Sequence, residues 1–180
     1  MLKGYSLMMT TLKVGVVAAG YVAAGLVAYA AVRIRMATTI GYDASGGMHA
    51  FGDSLLFVGV FGVVGLVPTA TALFFLRPYR LFWRALSAFG LGVAVTGLAA
   101  TILSAVGSQE APPSLLGMWA ALSVLRILVA PLLALLFLVC TVLSPYRFAR
   151  WALLAATVTE AAVTAYAGFL WFVPLFSSRP

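Results

Sequence analysis

The sequence predicts an all-α integral membrane protein: a polytopic bundle of five transmembrane helices forming one domain over residues 1–180. Three observations predict it. Only 8% of the residues are charged, against the roughly 25% usual for a surface that meets water. Mean hydropathy is +1.12. Apolar stretches long enough to cross ~30 Å of hydrocarbon recur along the chain with short polar connections, and no polar segment is long enough to build a separate soluble domain.

The first span is predicted at about 14–32, between Lys13 and the pair Arg33 and Arg35. Its start resembles a signal peptide, with Lys3 and Lys13 ahead of an apolar run and "AYAA" behind it. The run exceeds the ~7–15 residues of a signal core, so a retained helix is expected. Gly15, Ala19, Ala23 and Gly20, Ala24, Ala28 repeat at spacings of four, which allows close helix contact in lipid. Residues 33–53 are read as an irregular outer loop, on the strength of Gly46 and Gly47. The second span, 54–76, carries Gly59, Gly62 and Gly65 and a kinking Pro68. The third is expected at 85–106, with Gly90, Gly92 and Gly97, the fourth at 115–143, with Arg126 and Pro131, and the fifth at 151–176.

A phrase is written twice. "LRPYRLFWRAL" (Leu76–Leu86) returns as "LSPYRFARWAL" (Leu143–Leu153), with six of eleven positions identical. Each copy ends one span and begins the next, so both lie on one side of the membrane. One helix followed by two parallel-repeated hairpins would produce this, as would the composition any cytoplasmic interface prefers. Pro78 and Pro145 end the incoming helices. Arg77, Arg80, Arg84, Arg147 and Arg150, with Tyr79, Trp83, Tyr146 and Trp151, are predicted interface anchors. Lys3, Lys13 and those five arginines make seven positive charges and no acid on that side. Arg33, Arg35 and Arg179 stand opposite with Asp43, Asp53 and Glu110. The asymmetry predicts a cytoplasmic N-terminus and an outer C-terminus, in a multi-pass protein of the cell membrane of bacterial inner-membrane type. Trp119 and Trp171 then fall at the outer interface.

Arg126 and Glu160 are ionisable groups well inside predicted spans. A central Arg costs about 3 kcal/mol to insert on translocon-type scales, and the many apolar residues of its helix can carry it in, but the charge needs a partner or water. Counted from Pro145 on an antiparallel hairpin, their depths differ by four residues, about 6 Å at 1.5 Å per residue. An Arg stem reaches that far, so the two are expected to pair, within the hairpin or across a subunit contact. Thr157 and Thr164 share the Glu160 face and extend a polar stripe.

Other chemistry lacks its residues. His49 is the single histidine and Cys140 the single cysteine, which removes bis-His haem ligation and any intrachain disulfide. Asp43, His49 and Asp53 match no metal-site spacing. No P-loop, Rossmann fingerprint, H-E-x-x-H, C-x-x-C or nucleophile elbow occurs. The sequence therefore assigns no catalytic residue, cofactor or metal ligand. Its basic charge is scattered by topology, without the face or run that nucleic acid requires, and the expected partners are the lipid bilayer and other membrane subunits or further copies of the chain. The expected role is a non-catalytic accessory or structural subunit, or a small homo-oligomer. The alternative is a small transporter or ion- or proton-conducting protein that uses Glu160 and Arg126.

Overall fold

The computed structural model describes residues 2–39, 46–107 and 115–177. They form five helices: α1 (Leu2–Thr38), α2 (Gly46–Phe75), α3 (Arg80–Gly107), α4 (Leu115–Leu143) and α5 (Arg147–Ser177). Each contains a stretch long and apolar enough to cross a membrane. Long helices are what lipid demands, since every backbone N–H and C=O must be satisfied within its own segment.

The helices outrun the predicted spans at most of their ends. The outer loop expected at 33–53 is mostly helical: α1 continues to Thr38 and α2 begins at Gly46, while Asp43 lies outside the described residues, as do Glu110 and Arg179. The reason is that hydrophobicity marks where lipid ends, whereas helical hydrogen bonding continues into the interface, where long cations extend their heads toward water. Hydroxyls close the end of α1, with Thr38 Oγ1 donating to the Ile34 carbonyl at 2.9 Å and Thr39 Oγ1 to that of Arg35 at 2.8 Å. In the same way α3 starts at Arg80 and α5 at Arg147, so both repeated phrases contribute their last residues to helices.

Contacts sort the chain into two compact units, residues 1–76 and 77–180. In the first, α1 packs on α2; in the second, α3, α4 and α5 pack on one another. These packing units do not coincide with the two repeated hairpins that the phrase suggested.

In the first unit the contact face of α1 is one of its two small-residue rows. Ala24 and Ala28 are fully buried, and a Cβ on Gly20 would sit 2.8 Å from the Pro68 Cβ. The other row, with Gly15, faces open space. Tyr21 shares a 2.7 Å hydrogen bond with Thr69. Each end of the pair is tied by a cation: Lys13 Nζ lies 5.4 Å from the Phe75 ring centroid, and Arg35 Nη1 donates to Asp53 Oδ1 at 3.0 Å.

In the second unit the buried positions alternate four and three apart. On α3 they are Trp83, Ser87, Gly90, Ala94 and Gly97, with Ala100 a further three on, and on α5 Ala149, Leu153, Ala156, Glu160, Val163 and Ala167. This mean spacing of 3.5 keeps one seam turned toward a partner helix along its length. Ser123, Ile127, Ala130, Phe137 and Cys140 supply the α4 side. Gly90 admits Phe137 and Leu153, whose atoms lie 3.4 and 3.3 Å from where its Cβ would be.

The close approach at Gly20 gives a direct test. Gly20→Leu drives side-chain atoms into Pro68 and should lower stability by about 1–3 kcal/mol, read as a clear fall in melting temperature in detergent. Gly15→Leu on the open face should leave the melting temperature unchanged.

Candidate functional site

The centre of the second unit is polar. Glu160 occupies a seam position of α5 and has no exposed side-chain surface, while the Arg126 side chain on α4 is 20% exposed. The two side chains form a bidentate ion pair: Nη1 donates to Oε2 at 3.2 Å, and Nη2 donates to Oε1. Arg126 reaches α3 as well, Nε donating to Thr96 Oγ1 at 3.1 Å and Nη2 to the Val93 carbonyl at 2.8 Å. Thr96 Oγ1 in turn donates to the same carbonyl at 2.7 Å. Among the described residues no buried side-chain nitrogen or oxygen is without a hydrogen-bond partner.

Space for the pair comes from Gly97. A Cβ there would lie 3.0 Å from Arg126 Nη2 and 3.3 Å from both Glu160 oxygens. α3 thus supplies a carbonyl, a hydroxyl and a missing side chain to an ion pair carried by α4 and α5. Around it Ser123 is buried, and Ile127, Ala130, Val163, Ala100 and Ala167 form an apolar cluster. Glu160 itself is fully buried, while Arg126 and Thr96 keep some exposure, and Val93 is the middle residue of the span Arg80–Val106.

The structure brings Arg126 and Glu160 together inside the chain. It does not use Thr157 and Thr164 as their polar neighbours: those hydroxyls bond their own helix, to the Leu153 carbonyl at 2.9 Å and the Glu160 carbonyl at 2.8 Å. Thr96, Val93 and Gly97 are the contributors that sequence reasoning missed. The available signal was the four-three run of small residues on α3, which marks a seam and places Gly97 on it.

The interface anchors divide into groups. Tyr79, Trp151 and Arg80 are exposed, but Trp83 has no exposed surface and is a core residue, packed edge-on against Phe82 with centroids 5.6 Å apart. Two arginines bind the carbonyl end of α4: Arg77 Nε donates to the Leu143 carbonyl at 3.1 Å and Arg150 Nη2 to that of Ser144 at 2.9 Å. Cations there satisfy orphan carbonyls and oppose the negative pole of the helix. Tyr146 Oη donates to the Pro78 carbonyl at 3.3 Å, tying one copy of the phrase to the other. Among the described residues Arg80, Arg84 and Arg147 make no side-chain hydrogen bond or ion pair.

The expected loop charges also move. Asp53 is a buried residue of α2 paired with Arg35, in a space kept open by Gly52, whose Cβ would lie 2.8 Å from Arg35 Nη1. Compared with protein-family models, with curated proteins and with solved structures, the chain has no significant match.

Because removing one partner strands a buried charge, Arg126→Leu and Glu160→Leu alone should each cost about 3–5 kcal/mol of stability, and the double substitution less than either. Melting temperatures of the three variants in one detergent measure this. Equal or additive losses would show that the pair is not the unit.

Proposed function

We propose that this chain is a non-catalytic, multi-pass protein of a bacterial inner membrane that works by assembly, as a structural or accessory subunit or as a small homo-oligomer. The observation that supports this reading is the saturation of its polar centre. Both carboxylate oxygens of Glu160 and three nitrogens of Arg126 are occupied by protein groups, so neither member of this pair is free to act as an acid or base. Five apolar helices with many outward-facing small and aromatic side chains add surface suited to lipid and to neighbouring helices. Native mass measurement in mild detergent is expected to give either several copies or a complex with other subunits. A stable lone monomer overturns the proposal.

The transporter reading rests on a different observation, the position of Glu160 at mid-span beside an arginine whose side chain keeps some exposure. It requires that purified protein in liposomes carry protons or ions, and that Glu160→Gln abolish the flux. The assembly reading expects no flux in either sample.

The charge count further supports an N-terminus and phrase turns in the cytoplasm. In a Cys140→Ser background, Leu115→Cys should react with a membrane-impermeant maleimide from outside intact cells. Leu81→Cys should react only after permeabilisation.

A further inference from the structure

The two copies of the phrase enclose a single cleft. It has a volume of about 590 Å³ and is lined by Arg80, Trp83 and Arg84 from the first copy and by Tyr146, Arg147 and Phe148 from the second. Volumes of roughly 300–1,000 Å³ with mostly apolar walls and a few fixed polar groups are typical of small-molecule sites.

We propose that this cleft binds the phosphate of an anionic phospholipid headgroup. The five arginines of the phrases divide into two groups. Arg77 and Arg150 are committed to carbonyls at the end of α4. The three that line the cleft have no anionic partner among the described residues, and none of the chain's four acids lies within either phrase. Three guanidinium groups around one cavity repel one another until an anion joins them, and Arg offers the fork geometry that matches phosphate oxygens.

The cleft also lies at the start of two helices. α3 begins at Arg80 and α5 at Arg147, so the positive poles and unbonded first-turn N–H groups of both helices lie at the mouth that the arginines surround. Tyr146 Oη on the Pro78 carbonyl holds the two helix starts together.

The surroundings of the cleft favour lipid over a soluble phosphate. Leu81 and Phe148, neighbours of Arg80 and Arg147, are 80% and 73% exposed. The cationic groups thus sit beside bare apolar surface, at the ends of helices apolar enough to cross a membrane. An occupant with a phosphate at one end and hydrocarbon at the other satisfies both. The site rests on the membrane reading of the helices, but not on which side the phrases face or on the role of Glu160.

The test is native mass spectrometry of the full-length protein, delipidated in detergent and then titrated with phosphatidylglycerol, phosphatidylcholine or glycerol 3-phosphate. Phosphatidylglycerol should be retained in preference to phosphatidylcholine. The triple variant Arg80→Gln, Arg84→Gln, Arg147→Gln should lose that preference by at least roughly tenfold, and each single variant by a smaller factor. Arg33→Gln, which removes an exposed cation outside the cleft, should change nothing. The triple Lys variant keeps the charge and should keep most of the preference, which separates a lost site from a lost fold. The proposal is overturned if Arg33→Gln matches the single cleft variants, if Lys and Gln triples lose binding equally, or if the parent shows no preference between the lipids. Retention of glycerol 3-phosphate as strong as that of the lipid overturns the choice of lipid in favour of a soluble phosphate ester.

Discussion

The fold of residues 77–180 depends on one constraint: a carboxylate with no exposed surface sits on the inner seam of α5. Burying an isolated charge is prohibitive, so its counterion must arrive with tightly matched geometry and with its own remaining donors satisfied. Arg126 meets that condition only because α3 contributes the Val93 carbonyl, the Thr96 hydroxyl and the space at Gly97. All three helices are thereby held in register. A slide of any one of them by a single turn, ~5.4 Å, would separate a donor from its acceptor or place a side chain where the guanidinium lies.

The same principle, cations placed on groups that lipid leaves unsatisfied, recurs away from the centre. α4 ends at Leu143, ahead of Pro145, and its last carbonyls have no partner within the helix. Arg77 and Arg150, one from each neighbouring turn, take them. In the first unit Arg35 neutralises Asp53, and Lys13 rests over Phe75 at the other end. Among the described residues Arg33, Arg80, Arg84 and Arg147 have no assigned side-chain partner, and the last three share one cleft.

Length and hydrophobicity made the helices legible from the sequence, because lipid imposes one requirement on every segment and the requirement is visible residue by residue. Helix ends were less legible: α3 begins before Ala85 and α1 continues past Val32, since hydrogen bonding does not stop where apolar residues do. The depth of Arg126 against Glu160 was readable by counting along one hairpin. Thr96 and Gly97 were not, because their part depends on a third helix whose placement no count along α4 and α5 contains. Asp53 looked like a loop residue and Trp83 like an interface anchor for a common reason. Residue type does not by itself set a side chain's environment; which face of its helix meets a neighbour does.

That point also explains why two similar phrases behave differently. Aligned on "PYR", Trp83 and Arg84 of the first copy stand opposite Arg150 and Trp151 of the second, a transposition of one position. On a helix one position is a rotation of about 100°. The indole of Trp83 therefore enters the seam while that of Trp151 faces outward, and Arg84 lines the cleft while Arg150 turns back to the end of α4. Phe82 faces Ala149 in the same alignment, and Ala149 is buried at the cleft wall. A phenyl ring there would take up volume that the cleft now holds open. The differences between the copies, more than their shared residues, shape the space between them: one turn brings bulk and two free arginines, the other brings an alanine, a third arginine and the tyrosine that links both.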